Sequence, residues 1–189
     1  MTKKLISIII NCFNGEKYLE QALSSVLEQR HDNFEVIFWD NNSTDNSKEI
    51  FFKFQDNRFK YFKSEKKLNL YEARNCALEN CKGELITFLD TDDIWLKDKL
   101  SCQVSVFLKN NSDLIYSNYF LKIKNKINKK EIKPKQLKSD FQNHYLKNYD
   151  VGLVTLAINR EVLISRKLKF NPNFNIIGDF DIVMKIVNN

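Results

Sequence analysis

Three carboxylates crowd one turn of this 189-residue chain: Asp90, Asp92 and Asp93, within Phe88-Leu-Asp-Thr-Asp-Asp93. They follow directly on a short apolar run, Leu85 to Leu89, whose composition predicts a buried strand. Carboxylates at the carboxyl end of a strand sit where open α/β sheets place their ligands. Like charges this close repel, and a divalent cation relieves the repulsion. Mg²⁺ or Mn²⁺ suits such a set, because hard cations take oxygen ligands and keep positions open for phosphate. A solvated acidic turn that caps the next helix is the alternative.

The elements around this turn alternate strand and helix. Leu5 to Ile10 predicts a buried central strand that stops at a turn-like cluster, Asn11-Cys-Phe-Asn-Gly15. Tyr18, Leu19, Ala22, Leu23, Val26 and Leu27 then recur at helical spacing, with Asn14 as the expected N-cap. Phe34 to Trp39 is a second strand. It ends in Asp40-Asn-Asn-Ser-Thr-Asp45, where Ser43 or Thr44 is placed to cap a helix carrying Ile50, Phe51 and Phe54. Phe59 to Phe62 is a third strand, and Tyr71 to Cys81 a helix closed by Gly83. Beyond the acidic turn the pattern predicts a helix over Leu100 to Leu108, a strand over Asp113 to Phe120 and an exposed partner over Lys122 to Ile127. A helix within Gln136 to Tyr149, a strand over Val151 to Ile158, a short helix from Glu161 to Ser165 and a last helix from Gly178 follow. Repeated strand–helix units imply a mostly parallel sheet with helices on both faces, in a single α/β domain. The last helix stops short, so a C-terminally truncated domain is expected.

Composition excludes several classes. The net charge is +6, but eight lysines fall between Lys122 and Lys138 against one acid, Glu131, so the rest of the chain is nearly balanced. That run carries no aromatics, which argues against a nucleic-acid face and for a solvated loop or hairpin. Attraction to an anionic membrane or a phosphate-bearing acceptor is the alternative. Cys12, Cys76, Cys81 and Cys102 form no Cys-x-x-Cys pair and His31 and His144 are the only histidines, so zinc is not expected and a reduced, cytoplasmic setting is. No apolar run approaches the ~20 residues that span a bilayer, so any membrane contact would be made from the surface or through a segment outside this sequence. Neither Gly-x-Gly-x-x-Gly nor a P-loop is present, and the chain holds only four glycines.

Five segments, in order, resemble the inverting family 2 glycosyltransferases: Ser7-Ile-Ile-Ile-Asn-Cys-Phe-Asn-Gly-Glu-Lys-Tyr-Leu19, Trp39-Asp-Asn-Asn-Ser-Thr-Asp45, Ala73-Arg-Asn75, Phe88-Leu-Asp-Thr-Asp-Asp93 and Ile177-Gly-Asp-Phe-Asp181. The resemblance spans essentially the whole chain. It implies the GT-A fold, with a nucleotide-sugar half over 1–110 and an acceptor half over 111–189. It implies transfer of a sugar, hexosyl or N-acetylhexosaminyl, from a nucleotide-diphosphate donor such as a UDP-sugar to a saccharide or lipid-linked acceptor in surface polysaccharide synthesis. By the same resemblance Asn11, Cys12 and Phe13 line the nucleobase and ribose, and Asp40 accepts from uracil N3–H. Arg74 lies near the diphosphate or the nucleobase, Asp90 contacts the ribose or the metal through water, Asp92 ligates Mn²⁺ or Mg²⁺, and Asp179 is the general base. Read without the resemblance, Asp40 is a helix cap, Arg74 a surface residue, Phe13 a core residue, and Asp179 and Asp181 ordinary first-turn acids. Asn11 stands where the family has Pro or Thr, Asn42 and Gly178 where it has Gly and Glu, and Lys66 to Leu70 lacks the usual Gly. A sugar-1-phosphate nucleotidyltransferase is the rival on the same broad fold, and a non-catalytic nucleotide-sugar-binding remnant the rival from another class.

Overall fold

The computed structural model describes residues 4–122, 129–134 and 141–188. Its centre is a six-stranded sheet in the order β3-β2-β1-β4-β8-β5, built from β1 (Ile6–Cys12), β2 (Phe34–Asp40), β3 (Phe59–Lys63), β4 (Leu85–Phe88), β5 (Leu114–Ile115) and β8 (Ala157–Asn159). The first four run parallel, and β8 runs antiparallel to both β4 and β5. A separate two-stranded ribbon pairs β6 (Tyr119–Lys122) with β7 (Lys129–Ile132).

Strand β1 is buried on both faces, which is why it reads as an unbroken apolar run. Ile6, Ile8, Ile10 and Cys12 pack against α1 (Leu19–Leu27), α2 (Ser47–Lys53) and α4 (Lys99–Asn110). Ile9 points the other way, toward α3 (Leu70–Glu79), α5 (Phe141–Asn148), α6 (Arg160–Ser165) and α7 (Gly178–Val187). Two layers of helices thus cover one mixed but mostly parallel sheet.

Several local expectations are corrected. Strand β1 continues through Asn11 and Cys12, because Asn41 N donates to Cys12 O and extends the ladder. Asn14 does not cap α1. It sits at φ 54°, the left-handed region Asn tolerates, and its Oδ1 accepts instead from Thr44 N. Neither Ser43 nor Thr44 caps α2, whose N-cap position is Asn46. Gly83 does not close α3 in a left-handed turn. It is glycine because a Cβ there would lie 2.4 Å from Ser7 N. The strand expected over Asp113 to Phe120 is broken in two. Its next partner on β8 would be Leu156, which ends a 3-10 turn at Leu153–Thr155 and whose carbonyl already accepts from Thr87 Oγ1. The strand expected from Val151 shortens to β8 for the same reason. Parts of the exposed partner strand over Lys122 to Ile127 (123 to 127) and of the helix within Gln136 to Tyr149 (136 to 140) lie outside the described residues.

That 3-10 turn is stapled to the sheet through a half-buried lysine. Lys99 Nζ donates to Thr87 Oγ1 (2.9 Å) and Gln103 Oε1 (3.0 Å), and lies 4.1 Å from the Trp95 ring centroid. Gln103 Nε2 in turn donates to Thr155 O. Burial pushes the Lys99 ammonium down to about 7 from its ordinary 10.5. The unfolded chain therefore binds more protons than the folded one between these values, and stability rises with pH across that window. In urea titrations from pH 7 to 10, Lys99→Met is expected to remove that rise.

Candidate active site

The carboxyl ends of β1, β2 and β4 share one edge of the sheet, and the candidate residues gather there. Asn11 and Trp39 are register partners on β1 and β2. Asn11 Nδ2 and Trp39 Nε1 are both buried without a hydrogen-bond partner among the described residues. Two unmet donors side by side are costly unless something with acceptor atoms covers them.

The loops beyond these strands are tied to each other by side chain–backbone bonds. Asn14 N donates to Ser43 Oγ (3.1 Å), Gly15 N to Ser47 Oγ (2.9 Å) and Glu16 N to Asp45 Oδ2 (2.9 Å). In return Thr44 N donates to Asn14 Oδ1 (2.8 Å) and Asn46 N to Glu16 Oε2 (3.0 Å). A Cβ on Gly15 would press within 3.1 Å of Thr91, so the first loop also rests on the acidic turn.

Asp40 is only 1% exposed. Its Oδ1 accepts from Ser43 N (2.7 Å) and its Oδ2 from Tyr61 Oη (2.5 Å). Burial, and then the Asp40 charge, hold the Tyr61 hydroxyl protonated well above its ordinary range. Both oxygens thus shape the loop. The neighbouring Asn41 binds the backbone of Leu68 in both directions, Nδ2 to O and N to Oδ1, each 2.9 Å. That bond pair fixes the segment before α3, from which Lys67 Nζ reaches to 3.7 Å from the Phe13 ring centroid. Cys12 is buried, its thiol pushed up by burial, while the Phe13 ring is substantially exposed.

Helix α3 carries the centre of the site. Arg74 is 3% exposed and lies over the Tyr71 and Phe170 rings. Its Nη1 donates to Asp179 Oδ1 at the start of α7, and its Nη2 lies 3.5 Å from Asp90 Oδ1 just past β4. The guanidinium therefore sits between two carboxylates. Next to it, Asn75 exchanges two bonds with the backbone of Phe170 (2.8 and 2.9 Å). Tyr71 Oη donates to Ile176 O (2.7 Å), and Asn69 Nδ2 to Pro172 O (2.8 Å). Gly178 has no side chain because a Cβ there would lie 2.5 Å from the Tyr71 ring. Asp181 is different in kind: it pairs with Lys185 one turn along its own helix (2.5 Å).

Charge is crowded at this edge. Desolvation raises the Asp179 carboxyl, with Arg74 opposing and Asp90 adding to it. Desolvation likewise raises Asp90, with Arg74 opposing and Asp92 adding to it. Asp93 is pushed up to about 6 by burial and then by Asp90 and Asp92. Asp92 is exposed beside them. No ready-made cage of three His, Cys, Asp or Glu ligands exists among the described residues. Crowded, half-frustrated carboxylates without a cage fit a Mg²⁺- or Mn²⁺-type ion held by one or two carboxylates and completed by substrate phosphates. Asp40, Arg74, Asp90, Asp92, Asp179 and the Asn11–Phe13 segment thus share one edge. Asn41, Tyr61, Lys67 and Trp39 join them unforeseen; only the placement of Trp39 and Asn41 beside Asp40 in the second motif pointed to two of them. A double-mutant cycle of Arg74→Met and Asp179→Asn in urea is expected to give a coupling of roughly 1–3 kcal/mol.

The chain is similar to known proteins in sequence and in fold. The sequence model of Glycosyl transferase family 2 matches residues 7–169. The chain is 37% identical over 163 residues to the UDP-Glc:alpha-D-GlcNAc-diphosphoundecaprenol beta-1,3-glucosyltransferase WfgD of Escherichia coli, covering 86% of this chain and 63% of that protein. It is 36% identical over 118 residues to the enzyme of the same description, WfaP, also of Escherichia coli, covering 62% and 47%. The chain thus spans less than two thirds of the length of these curated relatives. The crystal structure of S. aureus TarS 1-349 in complex with UDP superposes with a TM-score of 0.80 at 22% identity, over 96% of this chain and 54% of that one. The mannosyltransferase PcManGT from Pyrobaculum calidifontis, in complex with GDP-Man and Mn2+, gives 0.74 at 19%, over 98% and 52%. The fold is GT-A, and with a family model matching most of its length and WfgD as a relative, the chain belongs to glycosyl transferase family 2.

Proposed function

We propose that this chain is the catalytic part of an inverting glycosyltransferase that moves a sugar from a UDP-sugar to a lipid-linked saccharide in surface polysaccharide synthesis. The observation that carries the reading is the Arg74 guanidinium joining Asp179 to Asp90 at the edge where β1, β2 and β4 end. The printed descriptions of WfgD and WfaP, and the UDP held by TarS, favour the donor and acceptor classes. Residues 1–110 form the donor half and 111–189 part of the acceptor half. Four free thiols agree with a cytoplasmic enzyme working at the inner face of a membrane.

The nucleotide lies across the Asn11–Phe13 segment, with the unmet donors of Asn11 and Trp39 beneath it and Asp40 bracing the loop. Asp92, with Asp90 beside it, would hold the metal. When bound, the ion neutralises charge developing on the leaving diphosphate. Asp179 is the general base. Arg74 grips it through Oδ1, which leaves Oδ2 to receive a hydroxyl proton. The acceptor oxygen forms its bond to the anomeric carbon as the bond to the diphosphate breaks, and the electron pair leaves with the phosphate. Attack from the face opposite the leaving group inverts that carbon. No enzyme nucleophile is required.

Calorimetry is expected to show UDP binding that strengthens on adding Mn²⁺ or Mg²⁺, and Asp92→Asn should remove the metal effect. No UDP affinity with either ion would refute the reading. In turnover assays Asp179→Asn is expected to lower kcat by roughly 10²–10⁴ while UDP affinity stays unchanged. Unchanged turnover would move the base elsewhere.

A further inference from the structure

The residue types on the β6–β7 ribbon do not fit a ribbon standing in water. Tyr119 and its register partner Ile132 are half-buried and mark its root. Further out, Phe120 is 50% and Leu121 45% exposed. Successive strand residues point to opposite faces, so each face carries one large exposed apolar side chain. Around them Lys122, Lys130 and Lys133 are exposed. Glu131 offsets one of these by pairing with Lys133 at 3.1 Å.

The charge is as uneven as the hydrophobicity. The stretch from Lys122 to Lys138 holds eight lysines and one acid, a net +7, whereas the whole chain carries +6. Everything outside that stretch therefore sums to −1. The acidic edge and the basic ribbon belong to different parts of the chain.

We propose that the β6–β7 ribbon is a membrane-surface contact, in which Phe120 and Leu121 enter the headgroup layer of an anionic bilayer and the flanking lysines meet lipid phosphates. This rests on the reading of a lipid-linked acceptor, which obliges the enzyme to work beside a bilayer. No helix among the described residues is long and apolar enough to cross one. A folded partner would cover one face of a thin ribbon and leave the other apolar residue in water, whereas a fluid interface wets both. Lysine stems lie along the apolar region while their ammonium groups stay among the phosphates. The pattern of exposed Phe and Leu ringed by Lys is the one that binds at an interface without spanning it.

The test is co-sedimentation of the full chain with vesicles, without turnover. Binding is expected to phosphatidylcholine vesicles containing phosphatidylglycerol, to be far weaker to phosphatidylcholine alone, and to fall with salt. Lys122→Gln with Lys130→Gln is expected to weaken binding roughly thirty-fold, and Phe120→Ser with Leu121→Ser by about tenfold or more. Both double variants should keep the wild-type melting temperature and UDP affinity, which shows them folded. Equal binding to neutral and anionic vesicles, no binding to either, or indifference to both variants overturns the proposal. Tighter binding to soluble polyuridylate than to vesicles also overturns it, assigning the ribbon to a soluble polyanion. Vesicle binding without UDP affinity would keep the ribbon's role and refute the glycosyltransferase reading instead.

Discussion

One buried cation organises this molecule. Arg74 bonds Asp179, 105 residues further along the chain, with Asp90 on its other side. A buried guanidinium without partners would be severely destabilising, so the fold has to deliver both acids to it. The helix that carries it makes this reliable. Asn69 at the N-cap of α3, and Tyr71 and Asn75 within it, take up backbone groups of residues 170–176. Four hydrogen bonds from these three residues therefore hold the later segment, and the ion pair forms beside them.

Where hydrophobic pattern is decided locally, the sequence and the structure agree. β1, β2 and β4 are apolar because both of their faces are covered, and α1 and α4 show their stripe because only one of theirs is. The acidic turn falls at a strand end for the same local reason. What escaped the sequence depends on distant partners. The break between β5 and β6 follows from Thr87 claiming the carbonyl of Leu156, 69 residues away. The antiparallel direction of β8 is a matter of how the chain returns to the sheet, which no periodicity encodes. Asn14 and Ser43 have the composition of helix caps, yet each caps a loop 29 to 30 residues off. The positions of Asp40, Arg74 and Asp179 in the motifs were legible; that Asp40 is enclosed and Arg74 rests on Asp179 was not, because both facts are made by tertiary contacts.

Charge is also unevenly distributed. The edge where β1, β2 and β4 end is acidic and crossed by one arginine. The opposite charge is concentrated in sequence between Lys122 and Lys138, and the described strands at the start of that stretch pair with each other rather than with the central sheet.

The cross-tied loops have a kinetic meaning. Residues 14–16 and 43–46 are bound to each other by five reciprocal hydrogen bonds or more, and Asn41 pins Leu68 beside them. A ligand that binds at this edge would therefore meet a surface already assembled. Chain entropy was surrendered during folding, and little is left to lose on encounter. Association is then governed by diffusion and orientation, and affinity differences between ligands appear in how fast they leave.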